Sequence, residues 1–275
     1  MSATLVESQT PVLPPQPLPE ARVREILDEF NREGCAVVGR LFTDEQIVAM
    51  KEKIDRQFAD PGRRDSHHVY NDYIVARLFE CDRMFRDFAV SEPIISLMEA
   101  LLGPDCHMIA NTAVRNRPGE ALNIWHADDL VCFPLPPEIP RFDRRMIIPT
   151  FMLNVQIPLT DIDSEEYGPT QYIPGSHYSG RHPNDPKNPS FEGRGVKSIL
   201  VRAGEVYLQH SQVWHRGAPN TSTRTRYLLQ YSYSMRFVAQ RFYPFLNYKM
   251  PDHVLEGASP RLLRVLGKHP KAAYG

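Results

Sequence analysis

Four cysteines in 275 residues, Cys35, Cys81, Cys106 and Cys132, form no CxxC or CxxH pair. That scarcity argues against a structural zinc site and a dense disulfide framework; it suits a reducing cytosol, so a cytoplasmic location is expected. Charge imbalance is missing as well. The 32 basic and 33 acidic residues leave a formal net charge of -1, which provides no overall field to recruit nucleic acid or an anionic membrane. No uncharged apolar run approaches the roughly 20 residues that span a bilayer, and the first twenty residues lack the apolar core of a signal peptide. They carry Pro11, Pro14, Pro15, Pro17 and Pro19 instead, which predicts a flexible tail over 1–20. Internal repeats are also lacking. What remains is globular: 42% hydrophobic and 24% charged residues suffice for a substantial core, and the length suits one elaborated domain over 21–275.

Within that domain Val23, Ile26, Leu27 and Phe30 recur at helical spacing, and Gly34 stands where a C-cap belongs. Cys35 to Val38 reads as a strand. Thr43 and Gln46 form a capping box for a helix carrying Ile47, Met50, Ile54 and Phe58, and 62–68 reads as an exposed loop. A third helical segment, Ser91 to Leu102, stops at Gly103-Pro104. Short β-prone segments then follow at about 106–115, 121–128, 146–158, 170–174, 197–208 and 226–235, the pattern of a sandwich or barrel. Pro134 to Pro149 is expected to loop over one barrel end, and Ser259-Pro260 opens a short closing helix that ends at Gly267. The fold class is mainly β with flanking helices.

In Asn123-Ile124-Trp125-His126-Ala127-Asp128-Asp129, His126 and Asp128 stand two apart, so on a strand both side chains leave one face. With His215, at a distant strand-to-turn boundary, they supply two imidazoles and a carboxylate, the facial arrangement that leaves open positions on Fe(II). Ten histidines make a chance HxD easy, so the surrounding motifs must decide. Asp129 has the opposite strand parity and points away. His177 closes a Pro-Gly-Ser turn and His210 precedes the turn before His215, so both read as structural. Arg141, Arg144 and Arg145 read as a solvated charge run, and the aromatics from Phe237 to Tyr248 as core packing.

The HxD pair, then Gly168-Pro169-Thr170-Gln171-Tyr172-Ile173-Pro174-Gly175-Ser176-His177, then His215 with Asn220 and Arg226, resembles the phytanoyl-CoA dioxygenase family. The likeness extends over most of 21–275 and is strongest to the branch that oxidises secondary metabolites. It implies a double-stranded β-helix (jelly roll, cupin-like) and Fe(II) on His126, Asp128 and His215, with 2-oxoglutarate as co-substrate. Arg226 would hold the far carboxylate of 2-oxoglutarate, with Arg224 as its rival, and Asn123, Thr170 and Arg77 would add contacts. Three departures bear on those contacts: Asn123 where glutamine is frequent, Gly204-Glu205 where Gly-Asp is, and Gly217 where serine is. The retained Asp128 favours hydroxylation-type chemistry, since related halogenases have a small residue there.

The activity implied is oxidation of an unactivated C–H in a small organic molecule, a natural-product intermediate, by hydroxylation, desaturation or rearrangement. Its partners are that molecule and O2, without nucleic acid or membrane, and a homodimer is left open. The alternatives are a catalytically inactive β-helix that binds a small ligand or partner, an acyl-CoA or small amino or phosphonic acid hydroxylase of the same family, and a hydrolase or isomerase using zinc or another ion.

Overall fold

In a computed structural model that describes residues 11–65, 69–70, 72–128, 131–242 and 247–271, the first apolar stripe folds as helix α1 (Glu20–Glu33). It ends where Gly34 turns to φ 85°, its N–H bonding Phe30 O. Glycine is required there for a second reason: a Cβ would lie 2.7 Å from Val213 Cγ2 and 2.8 Å from His177 Nδ1. Strand β1 (Cys35–Arg40) follows, then α2 (Asp44–Ala59), started by the Thr43–Gln46 capping box. The chain continues through α3 (Pro61–Asp65), β2 (Val69–Tyr70), β3 (Ile74–Ala76), α4 (Leu78–Cys81), α5 (Arg83–Phe88) and α6 (Ile94–Leu102). The strand-rich half comprises β4 (His107–Asn116), β5 (Met152–Pro158), β6 (Thr170–Tyr172), β7 (Lys197–Ile199), β8 (Glu205–His210), β9 (His215–Gly217) and β10 (Arg226–Ser234). Helices α7 (Asp252–Leu255) and α8 (Pro260–Val265) close it, with Ser259 capping α8 by accepting from Leu262 N.

The strands form a seven-stranded sheet, β1-β8-β5-β10-β4-β3-β2, and a three-stranded sheet, β7-β6-β9. Alternation divides the larger sheet into two faces. Leu153, Val155, Ile157, Leu208, Leu229, Tyr231 and Tyr233 join Ile26, Phe30, Met50, Ile54, Phe85, Ile95 and Met98 of the helices in the main core. The opposite face carries Asn154, Gln156, Gln209, Ser232, Arg226 and Asn116, all buried. Register aligns them: Ser232 and Gln209 flank Asn154, and Arg226 pairs with Asn116. This polar inner face meets the smaller sheet, Cys35, Tyr172, Ile199, Val201, Tyr207 and Val213 packing between the two. The architecture is a jelly roll with flanking helices. No helix among the described residues is long and apolar enough to cross a membrane.

Several sequence expectations shift. Residues 121–128 form no strand; only His126 makes a β-bridge, to His215. The segment 146–158 pairs only from Met152, after Pro149, which has no N–H to donate. A turn at Gly204 splits 197–208 into β7 and β8. The expected loop 62–68 is partly the short helix α3, and 66–68 lie outside the described residues. The four cysteines are free.

Candidate metal centre and co-substrate pocket

His215 opens β9, whose neighbour β6 is supplied by the Thr170–Tyr172 part of the quoted motif, Tyr172 pairing with His215. The loop bearing the HxD pair is laced to the same segment. His126 N donates to His215 O (3.0 Å), His215 N to His126 O (2.9 Å), and Asp128 N to Ser211 O (2.9 Å). His126 and Asp128 therefore share a side without belonging to a sheet.

Both imidazoles are oriented alike. His126 Nδ1–H donates to Ile124 O (2.7 Å) and His215 Nδ1–H to Val213 O (2.9 Å). A carbonyl can only accept, so each ring keeps a proton on Nδ1; Nε2 faces Asp128, donates to it while the ring is protonated, and becomes the metal-binding nitrogen once that second proton leaves. The two Nε2 atoms stand 3.6 and 3.4 Å from Asp128 Oδ1, and the three ligand atoms lie within 4.8 Å of one another. The other carboxylate oxygen accepts from Asn154 Nδ2, whose amide oxygen accepts from Ser232 Oγ at 2.6 Å. Burial alone raises the Asp128 pKa, but the charge of His215 and hydrogen bonds from His126 and His215 hold it far below the usual carboxylate range. Burial lowers His126, yet its bonds with Asp128 and Ile124 O leave it raised overall.

Arg226, first residue of β10, lies buried on the same inner face. One Nη donates to Gly168 O, the other to Asn116 Oδ1 (2.6 Å), and Nε is buried without a partner. Gly168 can come this close to the chain because it adopts φ 67°; a Cβ there would meet Ala218 O at 2.8 Å. A Cβ on Gly217 would lie 3.7 Å from Arg226 Nη2, so glycine in place of the family's serine leaves room beside the guanidinium. Burial lowers the Arg226 pKa against an opposing pull from Tyr207, though a guanidinium stays protonated. Thr170 Oγ bonds Tyr207 OH at 2.8 Å within the barrel. Gln156 Oε1 and Gln209 Nε2, on neighbouring strands, are also buried and unpartnered. A buried cation with an unused donor fits a bound dianion, and the two-imidazole, one-carboxylate set fits Fe(II).

Other residues named from sequence lie elsewhere. Asn123 is exposed and its amide oxygen accepts from Arg216 Nη1 (2.8 Å). Arg77 stands 3.6 Å from Glu80 and 5.3 Å from the Tyr248 ring, beside a cavity along β4. Arg224 precedes β10 and covers the Tyr167 ring at 3.6 Å. His177 and His210 are buried with ring centroids 4.9 Å apart, and His177 Nε2 bonds Asn31 O of α1. Arg141 and Arg144 both pair with Glu192, and Arg145 with Asp143. Phe242 is buried in the core, whereas Phe237 is exposed. Asp129 and residues 243–246 lie outside the described residues. Sequence reasoning missed Asn116, Asn154 and Ser232. The available signal was Asn154 and Gln156 alternating inside the otherwise apolar β5.

Residues 30–228 match the phytanoyl-CoA dioxygenase family. The chain is 29% identical over 156 residues to dioxygenase cdmD of Talaromyces verruculosus, covering 54% of this chain but only 45% of that protein's length. It is 22% identical over 234 residues to multifunctional dioxygenase prhA of Penicillium brasilianum, covering 78% and 74% of the two chains. Among solved structures, HygX from Streptomyces hygroscopicus with nickel and 2-oxoglutarate bound superposes with a TM-score of 0.61 at 17% identity, over 79% of this chain and 88% of that one. AviO1 from Streptomyces viridochromogenes Tue57 gives 0.55 at 22%, over 77% and 94%. These two likenesses carry the fold. The match over 30–228 carries more: the chain belongs to the phytanoyl-CoA dioxygenase family.

Proposed function

We propose that residues 21–275 act as one Fe(II)- and 2-oxoglutarate-dependent dioxygenase domain. His126, Asp128 and His215 bind the metal, and Arg226 and Thr170 receive the co-substrate. The single observation that carries this reading is the convergence of two imidazole Nε2 atoms and one carboxylate oxygen within 4.8 Å. When bound, Fe(II), 2-oxoglutarate and O2 together supply the oxidising power to cleave an unactivated C–H, with 2-oxoglutarate leaving as succinate and CO2.

The protein's part is to hold and orient. Ile124 O and Val213 O fix the two rings, and Asn154 fixes Asp128. Arg226, fully charged in a dry interior, would trade its present carbonyl and amide acceptors for a carboxylate taken by two parallel N–H donors. Thr170 and Tyr207 border that place. Asp128 occupies the position where a small side chain would leave room for halide, which supports hydroxylation, desaturation or rearrangement. The resemblance to the branch that oxidises secondary metabolites, together with the structure of HygX with hygromycin B bound, favours a natural-product intermediate as substrate.

Anaerobic titration of the chain with Fe(II) and 2-oxoglutarate should produce a visible charge-transfer band, and admitting O2 with a panel of such intermediates should release succinate. Both signals should vanish in His215→Ala. A band that survives in the Asp128→Ala, His215→Ala double variant would sink the ligand assignment.

A further inference from the structure

Past the end of β10 the chain crosses back over the sheet, Arg241 N donating to Ile109 O of β4 at 3.0 Å. The Arg241 guanidinium then lies against β5, Nη2 standing 3.7 Å from Met152 Sδ. Met152 and Asn154 are alternate residues of β5, so their side chains share the inner face about 7 Å apart. Asn154 is the residue that grips Asp128. Arg241 thus hangs one rung from the residue that holds Asp128.

It also borders a cavity of about 280 Å³ whose other walls include Phe242, Ile109, Ala110, Thr112 and Arg77. Ala110 pairs with Ser232 and Thr112 with Gln230, so the cavity opens on the inner face beside the Ser232–Asn154–Asp128 chain. Its wall is mostly apolar, and its two cations differ. Arg77 is half-buried, whereas Arg241 is exposed, at the rim.

Resting on the oxygenase reading, we propose that the organic substrate is an amphiphile bearing a carboxylate. That carboxylate docks on Arg241 while the apolar body lies along Phe242, Ile109 and Ala110. A guanidinium fork matches a planar carboxylate at two points, and fixing that end sets which carbon reaches the metal. Arg241 is on this account a specificity-determining residue, separate from the 2-oxoglutarate clamp at Arg226.

The test uses the full chain holding Ni(II), which blocks turnover, and saturating 2-oxoglutarate, titrated calorimetrically with octanoate, octanamide and octyl phosphate. Octanoate should bind at least tenfold tighter than octanamide. Arg241→Gln should erase that preference without changing octanamide affinity, and Arg241→Lys should restore part of it. An unchanged preference in Arg241→Gln, a preference erased by Arg77→Gln instead, equal binding of acid and amide, or tighter binding of octyl phosphate would each overturn the proposal. Retention of Ni(II) and 2-oxoglutarate is measured in the same samples. Failure to hold them would indict the oxygenase reading, while retention without a carboxylate preference would indict this inference alone.

Discussion

Strands β5 and β10 each present two unlike faces. Outward, Leu153, Val155, Ile157, Leu229, Tyr231 and Tyr233 are almost wholly buried against the helices. Inward, Asn154, Gln156, Ser232 and Arg226 are equally buried but polar, with Gln156 Oε1 and Arg226 Nε left unpartnered. Apolar burial stabilises, whereas a buried polar atom without a partner costs about 1–3 kcal/mol. Stability therefore comes from one face, and the other face spends part of it to stay receptive to a ligand. One backbone serves both because successive side chains point in opposite directions.

That division can be broken by one substitution on each face. Leu153→Ala should cost about 2–5 kcal/mol in denaturant unfolding, since it empties a fully buried site in the main core. Its 2-oxoglutarate affinity should stay within about twofold, because no contact on the inner face changes. Arg226→Gln should do the converse. Loss of the two-point charged contact should weaken 2-oxoglutarate binding by about 100-fold, roughly 3 kcal/mol, with a smaller fall in unfolding free energy than Leu153→Ala. If both variants lost stability and affinity together, the faces would not be separable.

Much of this was legible beforehand because its signals are local. Helix α1 with its Gly34 cap, the Thr43–Gln46 box and the Ser259 cap each sit within a few residues of sequence. What was not legible depends on register between distant segments. Asn116 meets Arg226, and Asn154 meets Ser232, only through β-pairing that alternation cannot specify. The segment 121–128 looked like a strand because Ile124 and Trp125 are β-prone, yet its partner β9 is only three residues long, and the neighbouring ladder is occupied by β6. Arg224 shares parity with Arg226 but precedes the strand, so parity did not apply to it.

The seam where α1 meets the end of β8 offers a graded test. Burial holds His177 down to about 4 and, with the nearby His177 as a lesser cause, holds His210 well below its usual value. Each ring resists protonation in the folded chain, while the unfolded chain takes up protons below about 6.5. Stability is thus full above that pH and falls as pH drops from about 6.5 toward 4. His177 alone accounts for about 2 kcal/mol by pH 5. His177→Gln, which keeps an N–H for Asn31 O, should flatten the acid limb of unfolding free energy against pH. An unaltered limb would show that this pair does not set it.

The smallest effect should come from the residue that belongs to both accounts, Asn154, which is buried like the core yet bonded to Asp128. Its amide is locked by Ser232, so its N–H is aimed before any ion arrives. Asn154→Ala leaves Asp128 Oδ2 without that donor and free to turn away from the two imidazoles. Outer partners of metal ligands are typically worth about tenfold or more in affinity, so Ni(II) binding should weaken by about that factor. Ser232→Ala should weaken it less, because Asn154 keeps its own bond to Asp128. Calorimetric titration of the three proteins distinguishes this ordering from a packing effect: if Asn154→Ala lowered the unfolding midpoint but left Ni(II) affinity unchanged, Asn154 would belong with Leu153, and the polar face would begin at Asp128 itself.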